Sequence, residues 1–223
     1  MYLILLGILL IYLLWKYPKI IFGLINIFLP RDDTVYYSDI PQIFPATKLI
    51  ENLWEDISRE ALLEYSLKDS HDNYLRKYNI DLGNEDTSNW STINLKVFDK
   101  TYDPPGFEIS KLILKEHPEI KSWIFSYMEP HKIIEPHYGP YNGLIRYQMP
   151  LRIPDGECYL EVANQRHYWV EGQPLIFDET KLHRAVNNSQ HLRVVLLIDI
   201  ERPGYSPIQK IINKYFIKLM GII

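Results

Sequence analysis

The chain of 223 residues is 47% hydrophobic and 23% charged, and its formal net charge at neutral pH is −4. This is the composition of an ordinary globular protein, and the negative charge argues against a nucleic-acid partner. A single cysteine, Cys158, excludes an intrachain disulfide and favours a reducing compartment.

The first 30 residues predict a membrane anchor. Positions 2–15 form an uncharged run that is shorter than the roughly 20 apolar residues needed to span a bilayer. Lys16 and Lys19 follow it, and lysine side chains can snorkel to the membrane surface. Because cytoplasmic flanks carry the excess of lysine, we expect a single-pass or interfacial anchor with the remaining domain in the cytosol. The second apolar run, 20–29, is expected along the membrane surface; a buried hydrophobic hairpin is the alternative.

The next segments predict a linker, two helices and a strand. Residues 31–45 are polar, contain proline and indicate a linker. Apolar residues recur with helical spacing from Thr47 to about Tyr65, which predicts a helix packed on a sheet, with Thr47 as its N-cap. Weak alternation predicts a strand over 90–98, and a short helix is expected over 110–116.

From residue 121 onward the hydrophobic pattern changes to the alternation of strands. Turn-forming residues separate eight candidate strands, at 121–128, 131–135, 144–151, 157–163, 166–170, 173–178, 183–187 and 192–200. Many short strands without alternating helices predict a mainly β fold, and we expect a double-stranded β-helix, the cupin-like jelly roll, with flanking helices. The predicted organisation is an anchor at 1–30, a linker at 31–45, the jelly-roll domain at 46–206 and an amphipathic C-terminal helix at 207–223.

The C-terminal helix is predicted to be basic and amphipathic. Lys210, Lys214 and Lys218 share one face, and apolar residues lie mostly opposite. Such a helix suits a membrane surface. The alternative is that it packs on the protein's own barrel.

Two histidines, His137 and His183, are the candidate metal ligands. Each lies beside a predicted strand end, and neutral imidazole suits iron. The usual non-haem iron site adds a carboxylate, yet Gly139 stands two residues after His137. Acids that lie near in sequence are Glu135, Asp178 and Glu179, and spacing does not select among them.

Two arginines in apolar strands, Arg146 and Arg193, indicate an acid-binding pocket. A guanidinium in such a strand is unfavourable unless it meets an anion, and it can hold a carboxylate through two parallel hydrogen bonds. A structural pair with Asp178 or Asp199 is the alternative. Ser126 adds a hydroxyl in another apolar strand.

A series of segments between residues 126 and 203 carries a family resemblance. The segments include Pro-His-Tyr-Gly-Pro-Tyr-Asn (136–142), Phe-Asp-Glu-Thr-Lys-Leu-His (177–183) and Arg-Val-Val-Leu-Leu-Ile-Asp-Ile-Glu-Arg-Pro (193–203). In order and spacing they resemble the aspartyl/asparaginyl β-hydroxylases, a branch of the iron(II)/2-oxoglutarate oxygenases. In this family a glycine replaces the usual acid and two histidines hold the iron, which His137 and His183 match.

The resemblance also implies a cosubstrate pocket. Arg193 matches the residue that binds the distal carboxylate of 2-oxoglutarate, and Arg146 matches a residue that assists at the other carboxylate. Ser126 matches a third contact. Gln148 stands where the family usually has histidine, and glutamine can donate a hydrogen bond but brings no charge.

The resemblance thus implies a hydroxylase that uses Fe(II), 2-oxoglutarate and O2 and releases succinate. Its target would be a C–H bond in a protein Asp or Asn side chain or in a lipid acyl chain, and the two membrane-facing ends favour a membrane lipid or protein substrate. The alternative is a catalytically inactive cupin-like binding or scaffold protein at a membrane. The sequence sets no oligomeric state.

Overall fold

A computed structural model describes residues 18–67 and 89–222, with side chains from residue 21 onward. The apolar run predicted at 2–15 lies outside these residues. None of the described helices is both long and apolar enough to cross a bilayer.

The described residues form five helices and eleven strands. The helices are α1 (Pro18–Phe28), α2 (Ile40–Ile43), α3 (Thr47–Ser66), α4 (Glu108–Glu116) and α5 (Pro207–Met220). The strands are β1 (Tyr36–Tyr37), β2 (Trp90–Val97), β3 (Lys100–Thr101), β4 (Ile120–Met128), β5 (Lys132–His137), β6 (Leu144–Arg152), β7 (Glu157–Val162), β8 (Gln165–Tyr168), β9 (Leu175–Phe177), β10 (His183–Asn188) and β11 (Arg193–Glu201).

The strands form two antiparallel sheets. The larger has the order β1-β9-β6-β11-β4-β2-β3 and the smaller the order β5-β10-β7-β8. The eight strands from β4 to β11 are divided between the sheets as a jelly roll requires, with β4, β6, β9 and β11 in one and β5, β7, β8 and β10 in the other. The mainly β prediction is therefore confirmed, and all eight predicted strands are found to within two residues at each end.

One hydrophobic core lies between α3 and the outer face of the larger sheet. Ile50, Ile57 and Ala61 of α3 are fully buried there, and Tyr127 of β4 donates its hydroxyl to the Ala61 carbonyl at 3.0 Å. Thr47 does not cap this helix as predicted, because the backbone already turns before it and Ala46 takes the N-cap position. The Thr47 hydroxyl instead donates to Glu51 at 2.7 Å.

The stretch predicted as a linker contributes to the sheet. Tyr36 and Tyr37 form β1, which pairs with β9 through Phe177 and Ile176. The short helix α2 follows. The predicted strand over 90–98 and helix over 110–116 are confirmed as β2 and α4.

A second core fills the barrel between the two sheets. Its members include Met128 and Val195 from the larger sheet and Leu160 and Ala185 from the smaller. A third cluster joins α1 and α5 to the loop between β5 and β6. Between these cores, one end of the barrel carries the polar side chains described next.

Candidate metal centre and anion pocket

The two candidate metal ligands lie side by side at one end of the smaller sheet. His137 is the last residue of β5 and His183 the first of β10, and the antiparallel register pairs them directly. Their ring centres are 4.2 Å apart. The fold thus brings together two side chains that are 46 positions apart in the sequence.

Both imidazoles are oriented by the backbone in the same way. Nδ1 of His137 donates to the Glu135 carbonyl at 2.7 Å, and Nδ1 of His183 donates to the Lys181 carbonyl at 2.9 Å. Because a carbonyl can only accept, Nδ1 carries the proton in each ring, and Nε2 is the nitrogen with metal-ligand chemistry. Burial and, secondly, the neighbouring His137 lower the pKa of His183 to about 3, which keeps it neutral.

The glycine after the first histidine is required by a close backbone contact. The Gly139 amide donates to the Glu179 carbonyl at 2.7 Å. A Cβ at position 139 would lie 2.7 Å from Cγ and 2.8 Å from the carbonyl oxygen of Glu179. A carboxylate therefore cannot enter here without displacing Glu179, and the described part of the chain contains no cluster of three or more His, Cys, Asp or Glu residues arranged for a metal.

The acids considered as a third ligand are engaged elsewhere or exposed. Asp178 is fully buried and accepts from Arg202 at 2.7 Å. Glu179 lies 2.6 Å from Nη1 of Arg146. Glu135 is exposed at the sheet surface and contributes its carbonyl, rather than its carboxylate, to His137. These positions favour a centre with two protein ligands.

Arg146 faces two carboxylates. Its Nε and Nη2 donate to Asp199, its direct partner on β11, at 2.9 and 3.2 Å, while Nη1 faces Glu179. The structure therefore contains the pair with Asp199 that the sequence left open. Burial raises the pKa of Glu179 to about 7, and Arg146 opposes that rise. Two of the five guanidinium N–H donors remain beyond these three contacts.

Arg193 is the opposite case, a buried guanidinium that meets no carboxylate in the part of the chain that the structure describes. The residue is 2% exposed; Nη1 donates to Oγ of Ser126 at 3.1 Å, and the guanidinium lies 4.7 Å from the centre of the Trp169 ring. Within the described ranges its Nε has no hydrogen-bond partner. Burial lowers its pKa to about 10. An unpaired buried cation is unfavourable, so this position is suited to receive an anion.

Ser126 offers a hydroxyl proton to the same space. Its oxygen accepts from Nη1 of Arg193 and, at 3.0 Å, from Nε1 of Trp90 on β2. Two donors occupy both lone pairs of a serine hydroxyl, which leaves the O–H to donate. No acceptor for that proton occurs in residues 18–67 or 89–222. Trp90 was not singled out from the sequence, where nothing links it to Ser126.

Gln148 is oriented by a tryptophan. Nε1 of Trp169 donates to Oε1 of Gln148 at 2.8 Å, and this contact sets the amide so that its NH2 group remains available. The same Trp169 ring lies against Arg193. Trp169 begins the segment Trp-Val-Glu-Gly-Gln (169–173), and its contacts with both Gln148 and Arg193 become visible only in the folded structure.

Ser126, Gln148 and Arg193 share the inner face of the larger sheet. Ser126 pairs with Val195 and Gln148 with Leu197, and Arg193 precedes Val195 by two residues on the same side of β11. Phe177, whose ring centre is 5.4 Å from that of His183, closes the space beside the histidines. The three donors therefore face the core between the two sheets, and His183 lies at the edge of the same core beside Phe177.

Comparison with known proteins supports a family assignment. The family model described as Aspartyl/Asparaginyl beta-hydroxylase matches residues 51–203. An ornithine lipid ester-linked acyl 2-hydroxylase from Rhizobium tropici is 39% identical over 92 residues, which cover 40% of this chain and 33% of that protein. The aspartyl/asparaginyl beta-hydroxylase of Mus musculus is 33% identical over 86 residues, which cover 39% of this chain and 12% of that protein.

The matched segment thus spans a third or less of the length of these two relatives. A solved oxidoreductase of the 2OG-Fe(II) oxygenase family from Burkholderia pseudomallei aligns with a TM-score of 0.42 and 12% identity, over 59% of this chain and 76% of that one. The family model extends over more than half of the chain, from α3 to the end of the last strand. The chain belongs to the aspartyl/asparaginyl β-hydroxylase family.

Proposed function

We propose that the protein is an iron(II)- and 2-oxoglutarate-dependent hydroxylase. The observation that carries this proposal is Arg193, a buried cation that meets no acid among residues 18–67 and 89–222, on the inner side of a barrel whose edge holds two histidines oriented through Nδ1 by backbone carbonyls. An arginine in this state favours a ligand with a carboxylate. A dicarboxylate could place one carboxylate at Arg193 and the other at a metal held by the two histidines.

The residues fit the two absent groups. His137 and His183 would hold Fe(II) through Nε2, since their other ring nitrogens are already bonded to backbone carbonyls. Arg193 would bind the distal carboxylate of 2-oxoglutarate, and the Ser126 hydroxyl would donate to the same carboxylate. When bound, iron and 2-oxoglutarate supply the activation of O2 that ends in succinate, CO2 and a hydroxylated C–H bond.

We assign the remaining residues to orientation. Gln148 would donate its amide N–H to the cosubstrate, and Trp169 would hold that amide in place. Arg146 would assist at the other carboxylate through its two remaining N–H donors, while Asp199 and Glu179 fix its position. These contacts weigh against the alternative of an inactive scaffold. Gln148 lacks the charge that a histidine can carry, but it keeps an N–H donor in a fixed orientation.

For the substrate we propose a membrane lipid, with the hydroxyl added to an acyl chain. The relative from Rhizobium tropici is named for an acyl 2-hydroxylase activity on ornithine lipid, and the uncharged run at 2–15 favours a membrane location with the catalytic domain in the cytosol. An Asp or Asn side chain in a protein is the second candidate, favoured by the name of the mouse relative.

The test is formation of succinate from 2-oxoglutarate with added Fe(II). We expect turnover in the wild type, loss in His137→Ala and Arg193→Ala, and retention in His131→Ala, an exposed histidine outside the pair. Full turnover in His137→Ala would contradict the metal assignment. Mass spectrometry of lipids and proteins from membranes treated with the enzyme then identifies the substrate by a gain of one oxygen.

A further inference from the structure

The outer side of α5 carries a stripe of exposed apolar residues. Ile208, Ile211, Tyr215 and Leu219 follow each other at intervals of three or four, so they share one face of the helix, and they are 46–71% exposed. The opposite side packs on the protein through Asn213, Phe216 and Ile217. The helix therefore packs on the protein, as the alternative prediction has it, and it also presents an apolar face to solvent.

Helix α1 adds a second set of exposed apolar residues beside α5. Leu24, Ile27 and Phe28 are 53–72% exposed. The two helices are joined by the rings of Phe22 and Phe216, whose centres are 5.6 Å apart, and by a hydrogen bond from the Gln209 side chain to the Phe28 carbonyl. We call the exposed apolar residues of both helices the docking face: Leu24, Ile27, Phe28, Ile208, Ile211, Tyr215 and Leu219.

The charge on these helices differs in sign from that of the chain. Together α1 and α5 contain four lysines and no acidic residue, while the whole chain carries −4, so the rest of it carries −8. Lys210, Lys214 and Lys218 are exposed and form a row at intervals of four along one flank of the stripe on α5. An apolar stripe with a lysine row beside it is the pattern of a helix that lies in a membrane interface.

We propose that the docking face binds the surface of an anionic lipid bilayer. The lysine row complements anionic head groups, and the exposed apolar side chains match the acyl boundary. In the sequence, the uncharged run at 2–15 precedes α1 by only two residues, Lys16 and Tyr17. The proposal rests on the proposed function only in taking the bilayer as the source of the acyl substrate.

The docking face is connected rigidly to the metal centre. The Asn26 side chain on α1 donates to the Pro140 carbonyl and accepts from the Asn142 amide, both at 2.9 Å. Between these two contacts the Tyr141 ring packs against Phe216 with a centre distance of 4.7 Å. Residues 140–142 follow His137 by three to five positions, so bilayer contact at α1 and α5 would fix the metal centre relative to the membrane surface.

The experiment places a fluorescent label on the docking face of the full-length protein. Ile211→Cys is labelled with an environment-sensitive dye; Cys158 is buried and does not compete. The matched control is Leu112→Cys on α4, which is 63% exposed. In phosphatidylcholine vesicles containing phosphatidylglycerol, we expect acyl-chain nitroxide lipids to quench the label at position 211 at least about twofold more than the label at 112.

A second pair of variants tests the charge. Lys214→Gln/Lys218→Gln should weaken binding to phosphatidylglycerol vesicles, whereas Lys48→Gln/Lys115→Gln, which removes two exposed lysines from other helices, should not. Equal quenching at 211 and 112 on vesicle-bound protein would overturn the proposal and would indicate that a second copy or the N-terminal run covers the face. Succinate formation in the same samples separates the two ideas: turnover without quenching contradicts only the docking face, and quenching without turnover contradicts only the proposed enzyme.

Discussion

The two pocket arginines should respond in opposite ways to the loss of their charge. The same sheet places Arg193 and Arg146 on its inner side, but among the described residues only Arg146 faces carboxylates. We therefore consider Arg193→Met and Arg146→Met, substitutions that keep much of the side-chain length and remove the guanidinium. The comparison is made on protein free of metal and cosubstrate.

The magnitude for Arg193 follows from its burial. A pKa lowered by burial from the usual arginine value to about 10 corresponds to about 3 kcal/mol that disfavours the folded cation. Because the pKa is lower in the folded state than in the unfolded state, this penalty is fully present below a pH of about 10, decreases as the pH rises through that value, and is lost by the pH at which arginine in the unfolded chain also deprotonates. The methionine variant has no such penalty. It also loses the hydrogen bond to Ser126 and the contact with Trp169, which stabilise the folded protein by about 1 kcal/mol each. The expected net change is about 1 kcal/mol in favour of the variant.

The opposite result is expected for Arg146. Its removal leaves Asp199 and Glu179 facing each other without a cation, and breaking a buried ion pair costs about 3–5 kcal/mol. Urea denaturation of the apo-proteins measures both changes. If Arg193→Met lost as much stability as Arg146→Met, Arg193 would be a structural residue and the anion-pocket reasoning would fail.

Binding of 2-oxoglutarate provides an independent test of the role of Arg193. With Mn(II) in place of iron, 2-oxoglutarate should raise the melting temperature of the wild type, because a ligand that binds only the folded state stabilises it. Arg193→Met should show no such rise. A normal rise in this variant would show that another residue binds the distal carboxylate.

Three further predictions concern the metal centre and the amide. Gly139→Ala should lower metal affinity at least about tenfold, because the added Cβ would displace Glu179. The control is Gly23→Ala, where an added Cβ meets no atom within 4 Å and affinity should not change. Calorimetric titration with Co(II) compares the two variants. Trp169→Phe should raise the KM for 2-oxoglutarate several-fold with unchanged Co(II) affinity, because the Gln148 amide loses its fixed orientation; unchanged kinetics would exclude a role for that contact. Chelation should abolish succinate formation and added Fe(II) should restore it, and turnover that survives chelation would exclude a metal-dependent reaction.

The strands were predictable because short apolar or alternating runs are separated by turn-forming residues. Burial alternates clearly along β5, whereas β9 is buried throughout and β6 and β11 are buried at nearly every position, so for these strands the flanking turn residues set the bounds. The prediction of Thr47 as N-cap was wrong because the cap position depends on the backbone angles of a single residue, which hydrophobic spacing does not determine. Tyr36 and Tyr37 were hidden in the predicted linker because a two-residue strand has no period to detect.

The partners of the site residues could not be predicted from the sequence. Whether Arg146 or Arg193 faces an acid depends on register, because Asp199 is the direct cross-strand partner of Arg146 while Arg193 pairs with Met128. Both arginines have apolar neighbours in the sequence. Whether a buried arginine forms a structural ion pair, as Arg146 does with Asp199, is therefore a property of the sheet register and cannot be derived from the neighbouring sequence.

The surroundings of Gln148 explain why a neutral residue at this position is compatible with the proposed binding of 2-oxoglutarate. The pocket already holds one full positive charge at Arg193 that the described protein groups do not neutralise. A second cation beside Arg193 would further destabilise the ligand-free protein, whereas an amide adds an N–H donor without adding charge. Trp169 contacts both residues, through its N–H to Gln148 and through its ring to Arg193, so the two are oriented together. Gln148→His should therefore destabilise the apo-protein wherever the introduced histidine is protonated, and Gln148→Leu should weaken 2-oxoglutarate binding without that pH dependence.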